Sequence, residues 1–432
     1  MARRVLVISY HMPSDGEVGG LRWAGLTKYL GSLGWQSWIL TAAPPATDQK
    51  SAAVTVEFCP RGRSVPELYR WLRRAVPGIR LPPHRADLSA RGGARAALLR
   101  PFATLRSEAS GLLYLLSEGY GWTLRAARRA RSMIRRIRPD VVVSTSPPHP
   151  THLAAWMATR GTGVRWIVDL RDPWARPVTK AWAHTGAIAN ALAAAAERLV
   201  IRAADGVFTT TRELADQLAT AYPDTAVTWI PNGVDLETLP SRSSHPFPGL
   251  GIAHLGTLYG GRDAGPVLKA LRLLIDQHPA AACDGTMFRH AGQEDPAQAD
   301  ATRRAIATLD LAAQVALHPV LPRAQALDLL ARSGLAIVLA QDQDYQIPSK
   351  LYESVAMGIP TLVIAGRESA AGREAVRLGA FFAQPEEVGA IARLFEGLWS
   401  GSGPHRNGGP PSELYDYRAR APAVAALLEA SA

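Results

Sequence analysis

Lys350 and Glu353 stand three residues apart, directly behind a serine, in the run Gln346-Ile347-Pro348-Ser349-Lys350-Leu351-Tyr352-Glu353-Ser354-Val355-Ala356-Met357-Gly358. On a helix that spacing puts a cation and a carboxylate on one side. A lysine beside free backbone amides suits a diphosphate, and a carboxylate can accept both hydrogen bonds of a ribose diol. The bland alternative is a solvated ion pair on an ordinary helix. Spacing alone weighs the two about equally.

The flanking sequence supplies the elements that would hold this pair. Residues 335–340 form an apolar run of strand length, and residues 361–364 form a second. Between them Pro348 forces its predecessor extended, Ser349 suits an N-cap, and Gly358 suits a C-terminal stop. A short helix is predicted there, its first amides unpartnered and carrying the positive end of the helix dipole. Lys350 in the first turn opposes that dipole, a cost that a bound diphosphate offsets.

Other reactive side chains fall at comparable junctions. Residues 5–9 read as a buried strand, followed by a loop with Gly16, Gly19 and Gly20, then a helix over 21–33 ended by Gly34, then a strand at 38–41. The loop lacks Gly-x-Gly-x-x-Gly spacing, so a dinucleotide fingerprint is absent. Residues 139–146 form another strand with its entry turn, and Pro147-Pro148-His149-Pro150-Thr151-His152 leaves its carboxyl end. Ligands of open parallel sheets collect there, which places His149 for function, with His152 one turn deeper in a helix reaching about residue 160. The strand at 165–170 ends in Arg171-Asp172-Pro173-Trp174, where Asp169 and Arg171 also read as a structural ion pair. Helices are read at 187–204 and 211–221. A Pro- and Ser-rich linker, 239–250, separates a second α/β half. That half opens with a strand at 251–256 and a glycine turn through Gly256, Gly260, Gly261 and Arg262. A helix at 264–277, strands near 287–290 and 315–322, and a helix at 323–333 lead to the Lys350 run. After it come helices near 370–378 and 385–398, and a helical end at 412–430.

With these motifs in view, the chain resembles the family 4 glycosyltransferases. The likeness rests on Ile347-Pro348-Ser349-Lys350-Leu351-Tyr352-Glu353 followed by Ala356-Met357-Gly358-Ile359-Pro360, and is supported by Ile230-Pro231-Asn232-Gly233-Val234-Asp235. The family's usual signature is Glu, seven residues, then Glu. Glu353 matches the second, and the first position holds Tyr345. The Pro-Ser-Lys-Leu form, with Ser-Pro-Pro-His-x-x-His-Leu and Asp-Leu-Arg-Asp-Pro-Trp, is closest to branches that build bacterial surface polysaccharides.

The resemblance implies an α/β chain of GT-B fold, two doubly wound parallel-sheet (Rossmann-like) domains facing across a cleft. Residues 1–238 would form the acceptor-side domain, 251–411 the nucleotide-sugar domain, and 412–432 a helix crossing back to the first. It implies a retaining transferase moving a sugar from a nucleoside-diphosphate sugar to a hydroxyl acceptor, lipid-linked acceptors included. Donor contacts would come from Gly19, Gly20, Gly256, Arg262, Ser349, Lys350, Leu351 and Glu353. His149, Asp172, Arg262 and Lys350 would carry catalysis, with Asp169 and Arg171 also lining the cleft near the transferred sugar. Asp342-Gln343-Asp344 reads as loop, so no divalent metal and no cofactor are expected. Rival readings are a nucleotide-sugar epimerase, a natural-product tailoring (pseudo)glycosyltransferase and a protein that binds nucleotide without catalysis.

Composition narrows the setting. The 432 residues suffice for two domains with large cores, and charged and apolar fractions of 20% and 47% describe a soluble globular protein. No stretch reaches transmembrane length, and a cytoplasmic, membrane-peripheral protein is expected. Cys59 and Cys283 read as two buried thiols in a reducing compartment. The formal charge of +11 is concentrated: residues 61–138 hold 18 Arg against four acidic residues, so the remainder is slightly acidic. Apolar residues interleave with those arginines, with helices read near 65–75, 94–117 and 121–137. Such a surface suits anionic lipid headgroups or a phosphorylated acceptor, with nucleic acid ranked last.

Overall fold

The computed structural model describes residues 2–15, 18–44, 53–61, 120–175, 187–402 and 411–430. Among the described residues thirteen strands form two sheets, each parallel throughout. The first contains β1 (Arg3–Ser9), β2 (Trp35–Thr41), β3 (Val54–Phe58), β4 (Val141–Thr145), β5 (Arg165–Leu170), β6 (Gly206–Thr209) and β7 (Val227–Trp229), in the order β3-β2-β1-β4-β5-β6-β7. The second contains β8 (Gly251–Leu255), β9 (Met287–Ala291), β10 (Val315–His318), β11 (Leu335–Ala340), β12 (Thr361–Ala365) and β13 (Phe381–Ala383), in the order β10-β9-β8-β11-β12-β13.

Helices cover both faces, which is why the central strands are apolar on both sides. Leu6, Ile8, Val142 and Val168 bury against helices Tyr120–Ile137, Pro150–Thr159 and Ala187–Ala203 on one face. Val5, Val7, Val141 and Val143 bury against helix Leu21–Leu30 and the last helix, Tyr417–Glu429, on the other. The last helix therefore lies on the first sheet although it follows the second in sequence. Gly25 permits the close approach: a Cβ there would sit 2.4 Å from the Tyr417 ring. In the second sheet, Ile252, Phe288 and Ile337 pack under helices Gly265–Gln277 and Val388–Ser400. Val338 and Val363 pack under helices Ser349–Ala356 and Ala370–Arg377.

Strand order reverses between β1 and β4 in the first sheet and between β8 and β11 in the second. Loops leaving the carboxyl ends of such a pair diverge to opposite faces and open a crevice. The first crevice is bounded by the loop after β1 and by His149 after β4; the second by the Gly256 turn after β8 and by residues 341–348 after β11.

Several sequence readings shift. The helix expected over 21–33 is α-helical to Leu30 and 3-10 from Gly31 to Leu33, ending at Gly34 with φ +84°. Strand β3 and helix Pro296–Thr308 were not anticipated. The helix expected at 121–137 spans Tyr120–Ile137, whereas those expected at 65–75 and 94–117 lie outside the described residues. Cys59 is buried, but Cys283 is exposed, against the expectation of two buried thiols. Among the described residues no helix is long and apolar enough to cross a membrane.

Candidate active site

The Lys350 helix is built much as its sequence predicts, with one change at its start. Pro348 occupies the N-cap position, and Ser349 is the first helical residue and makes no capping hydrogen bond. Gly358 ends the segment with φ +67°, a conformation only glycine adopts cheaply. The Leu351 amide donates to the Pro348 carbonyl at 3.0 Å, and its side chain is fully buried among Val338 and Val363. The Leu351 side chain therefore belongs to the core, and its amide is already bonded. Among the described residues the amides of Ser349 and Lys350 have no acceptor, which leaves them available to an anion.

Glu353, 1% exposed, is held by two cations. Lys350 Nζ lies 2.8 Å from one carboxylate oxygen, and Arg323 Nη1 lies 2.7 Å from the other. Burial alone pushes the carboxyl pKa up, but the two cations outweigh it and hold it below the ordinary value of 4.5. Each oxygen keeps a lone pair for a further donor, as a diol requires. Arg323, the first residue of helix Arg323–Ala331, was not singled out from sequence. An arginine at the positive end of a helix was the signal to follow.

A pH dependence follows from the Glu353 shift. Because its folded pKa is depressed, its contribution to stability is full above pH 4.5 and is lost as pH falls through the lower folded value. Urea unfolding between pH 7 and pH 3 should show the gap between wild type and Glu353→Gln narrowing on the acid side.

The Gly256 turn after β8 carries Arg262. Its Nη2 donates to Gln343 Oε1 at 2.8 Å, and its guanidinium lies 4.7 Å from the centre of the Tyr259 ring. Gln343 Nε2 in turn donates to Tyr259 Oη at 3.1 Å. Gly256 has φ +144°, and its carbonyl lies where a Cβ on Gly292 would fall, 1.8 Å away. The turns after β8 and β9 therefore touch backbone to backbone. Below them His254 and His290 stack at 5.3 Å, and burial drives their pKa values to about 3 and about 4.

On the facing domain, Gly20 is where the first loop folds back on itself: a Cβ there would lie 2.2 Å from Met12 Cα. Gly19 lies against the His11 ring, where a Cβ would approach Cδ2 to 3.1 Å. The packing itself thus accounts for both glycines. His149 precedes helix Pro150–Thr159 and stacks on Trp174 at 5.2 Å and 13°. Burial, aided by the Arg171 charge and opposed by the Pro173 carbonyl, brings its pKa down to about 4, so the imidazole is neutral at pH 7. His152 is wholly buried, its Nδ1 2.8 Å from Ser144 Oγ, and serves the core.

Asp172 accepts a hydrogen bond of 2.6 Å from Gln346 Nε2, which joins the two domains beside the cleft. Burial raises its pKa against the opposing charges of Arg171 and Arg262. Asp169 departs from the expectation for it. It is fully buried, off the cleft, and its ion pair is with Arg22 at 3.3 Å rather than with Arg171. Trp23 Nε1 and Thr145 Oγ1 each donate to the same Asp169 oxygen at 2.7 Å. Tyr345, at the first signature position, turns to the first domain: its carbonyl accepts from Thr211 Oγ1 at 2.9 Å, and its hydroxyl lies 3.2 Å from Gln217 Nε2.

Between the domains lies a cleft of about 380 Å³. Ser349, Glu353 and Arg323 form its wall in the second domain, while Leu21, Lys28 and Arg171 face them from the first. The connection between domains contributes Asn232, Gly233 and Asp235, and the last helix contributes Tyr417. Four cations (Arg22, Lys28, Arg171 and Arg323) outnumber the two carboxylates, a balance suited to an anionic ligand.

Two parallel-sheet α/β domains around such a cleft define the GT-B fold, and solved structures share it across the whole chain. The apo structure of OtsA, a trehalose-6-phosphate synthase, matches with TM-score 0.60 and 13% identity over 100% of both chains. The E. coli protein solved with UDP-2-fluoro glucose matches with TM-score 0.55 and 13% identity over 99% of this chain and 94% of that one. A putative UDP-N-acetylglucosamine 2-epimerase from Listeria monocytogenes matches with TM-score 0.52 and 15% identity over 98% and 91%. Residues 82–238 match the model of Glycosyltransferase Family 4, in line with the sequence resemblance. Family match and fold together mark a glycosyltransferase of GT-B type. No curated protein matches the chain by sequence.

Proposed function

We propose that the chain is a retaining glycosyltransferase that moves a sugar from a nucleoside-diphosphate sugar to a hydroxyl acceptor in surface-polysaccharide or glycolipid assembly. The observation that carries the reading is the Glu353–Arg323 pair on an interdomain cleft, with Lys350 bonded to Glu353 and open helix amides beside it. In this reading Glu353 grips the ribose, while Ser349, Lys350 and the free amides hold the diphosphate. Arg262 approaches from the Gly256 turn, where a cation stabilises the charge that develops on the departing diphosphate. Neutral His149 and Asp172 orient the transferred sugar and the acceptor hydroxyl. None of these roles requires a metal ion.

The direct test incubates the protein with a panel of nucleoside-diphosphate sugars, with and without hydroxyl acceptors, and identifies the products. Transfer that requires an acceptor and keeps the anomeric configuration supports the proposal. The epimerase reading keeps its place because a putative epimerase shares this fold. Conversion of the sugar nucleotide with no acceptor present would select it.

The acceptor side favours an anionic membrane. Arg128, Arg135 and Arg136 are exposed on helix Tyr120–Ile137 and, with Arg131 and Ser132, line a surface groove of about 500 Å³. Among the described residues Glu57 pairs with Arg129 and Arg136, and no carboxylate pairs with Arg125, Arg128, Arg131 or Arg135. We expect flotation with vesicles containing anionic phospholipid, lost by roughly 0.5 M salt as screening shortens the field. Binding indifferent to lipid charge and salt would refute the membrane assignment.

A further inference from the structure

Two arginines of the first domain are buried at the cleft, and they differ in what holds them. Arg22, 1% exposed, donates from Nε to Asp169, from Nη2 to the Ile230 carbonyl at 2.9 Å, and from Nη1 to the Pro231 carbonyl and Asn232 Oδ1 at 3.0 and 3.1 Å. Arg171, 8% exposed, donates from Nε to the Ser146 carbonyl. Among the described residues that is its one side-chain hydrogen bond, and no carboxylate oxygen lies within 4.0 Å of its guanidinium. Its two neighbouring carboxylates act on it only through space: Asp169 pairs with Arg22, and Asp172 accepts from Gln346.

A guanidinium carries five donors, and a buried one that makes a single hydrogen bond and no close ion pair leaves most of them unspent, which is costly. The terminal nitrogens of Arg171 are thus the unspent donors of the first domain's wall. They line the same cleft as Ser349, the residue at which the second domain presents its open amides. A diphosphate seated on those amides faces Arg171, and the planar fork matches two phosphoryl oxygens.

We propose that Arg171 binds the donor diphosphate from the first domain, opposite Lys350 and the amides of Ser349 and Lys350 in the second. The inference rests on the donor reading given above and adds to it a role for this residue. One ligand group would then be gripped from both domains, which couples donor occupancy to closure of the cleft.

The test is calorimetric titration of wild type, Arg171→Gln and Arg171→Lys with UDP, GDP, ADP, CDP and dTDP, followed by the bare nucleoside of whichever binds. Arg171→Gln should weaken the diphosphate 10- to 100-fold, leave the nucleoside unchanged, and be partly rescued by Arg171→Lys. If Arg171→Gln fails to fold, Arg171→Lys carries the comparison, with weaker diphosphate binding and unchanged nucleoside binding expected. Equal diphosphate affinity in a folded variant and wild type overturns this inference alone. That holds also where the variant instead raises KM for a charged acceptor. If wild type binds none of the five, the donor reading falls and takes the inference with it.

Discussion

Lys350→Ala should lower kcat/KM for sugar transfer by about 10²–10³-fold, equivalent to ~3–4 kcal/mol of transition-state stabilisation. The lysine lies 2.8 Å from Glu353 and next to two open amides, so its removal weakens the diphosphate site while the ribose carboxylate keeps Arg323. The fold should tolerate the change, with a stability loss on the order of 1 kcal/mol. Alanine is the best helix former, and the lost charge had opposed the helix dipole. Glu353→Gln is a less selective variant, because it leaves two cations facing a buried neutral amide and should cost about 3–5 kcal/mol of stability. Steady-state kinetics beside thermal melts separate the two effects.

Gly292→Ala should disrupt the donor turn from behind. Its new methyl would lie 1.8 Å from the Gly256 carbonyl oxygen and 2.6 Å from the carbonyl carbon, both backbone atoms with no rotamer to change. The turn that delivers Arg262 must retreat, at an overpacking cost of about 1–3 kcal/mol or more. The expected result is a lower melting temperature and at least a roughly tenfold rise in KM for the donor, since small displacements of positioning groups are heavily penalised. Gly366→Ala is the matched control: no atom lies within 4 Å of a Cβ there, so it should behave as wild type.

What could be read in advance was local. Apolar runs, Pro348, Gly34 and Gly358 gave strands and helix ends because each acts through its own backbone or its immediate neighbours. The Lys350–Glu353 spacing survived for the same reason. Long-range partners were not legible: Arg22 reaches Asp169 across 147 positions, and Arg323 reaches Glu353 from a different helix. That swap removed Asp169 from the cleft and left Arg171 without the partner its neighbour would have supplied. Gly19 and Gly20 were expected as donor contacts by resemblance, and the structure shows that the packing of the loop on His11 and Met12 by itself calls for small residues there. Strand β3 escaped because a short, half-exposed edge strand has little periodicity to show. Tyr345 marks where a family pattern stops being a guide, since the residue at the signature position faces the neighbouring domain.

Hydrogen exchange of the backbone between Gln346 and Ala356, with and without a saturating nucleoside diphosphate, tests the central claim most directly. The account predicts that the ligand slows exchange at Ser349 and Lys350 and at the Gly256 turn, and that Lys350→Ala removes most of the effect. Protection confined to other segments, with this helix start exchanging as before, would contradict it.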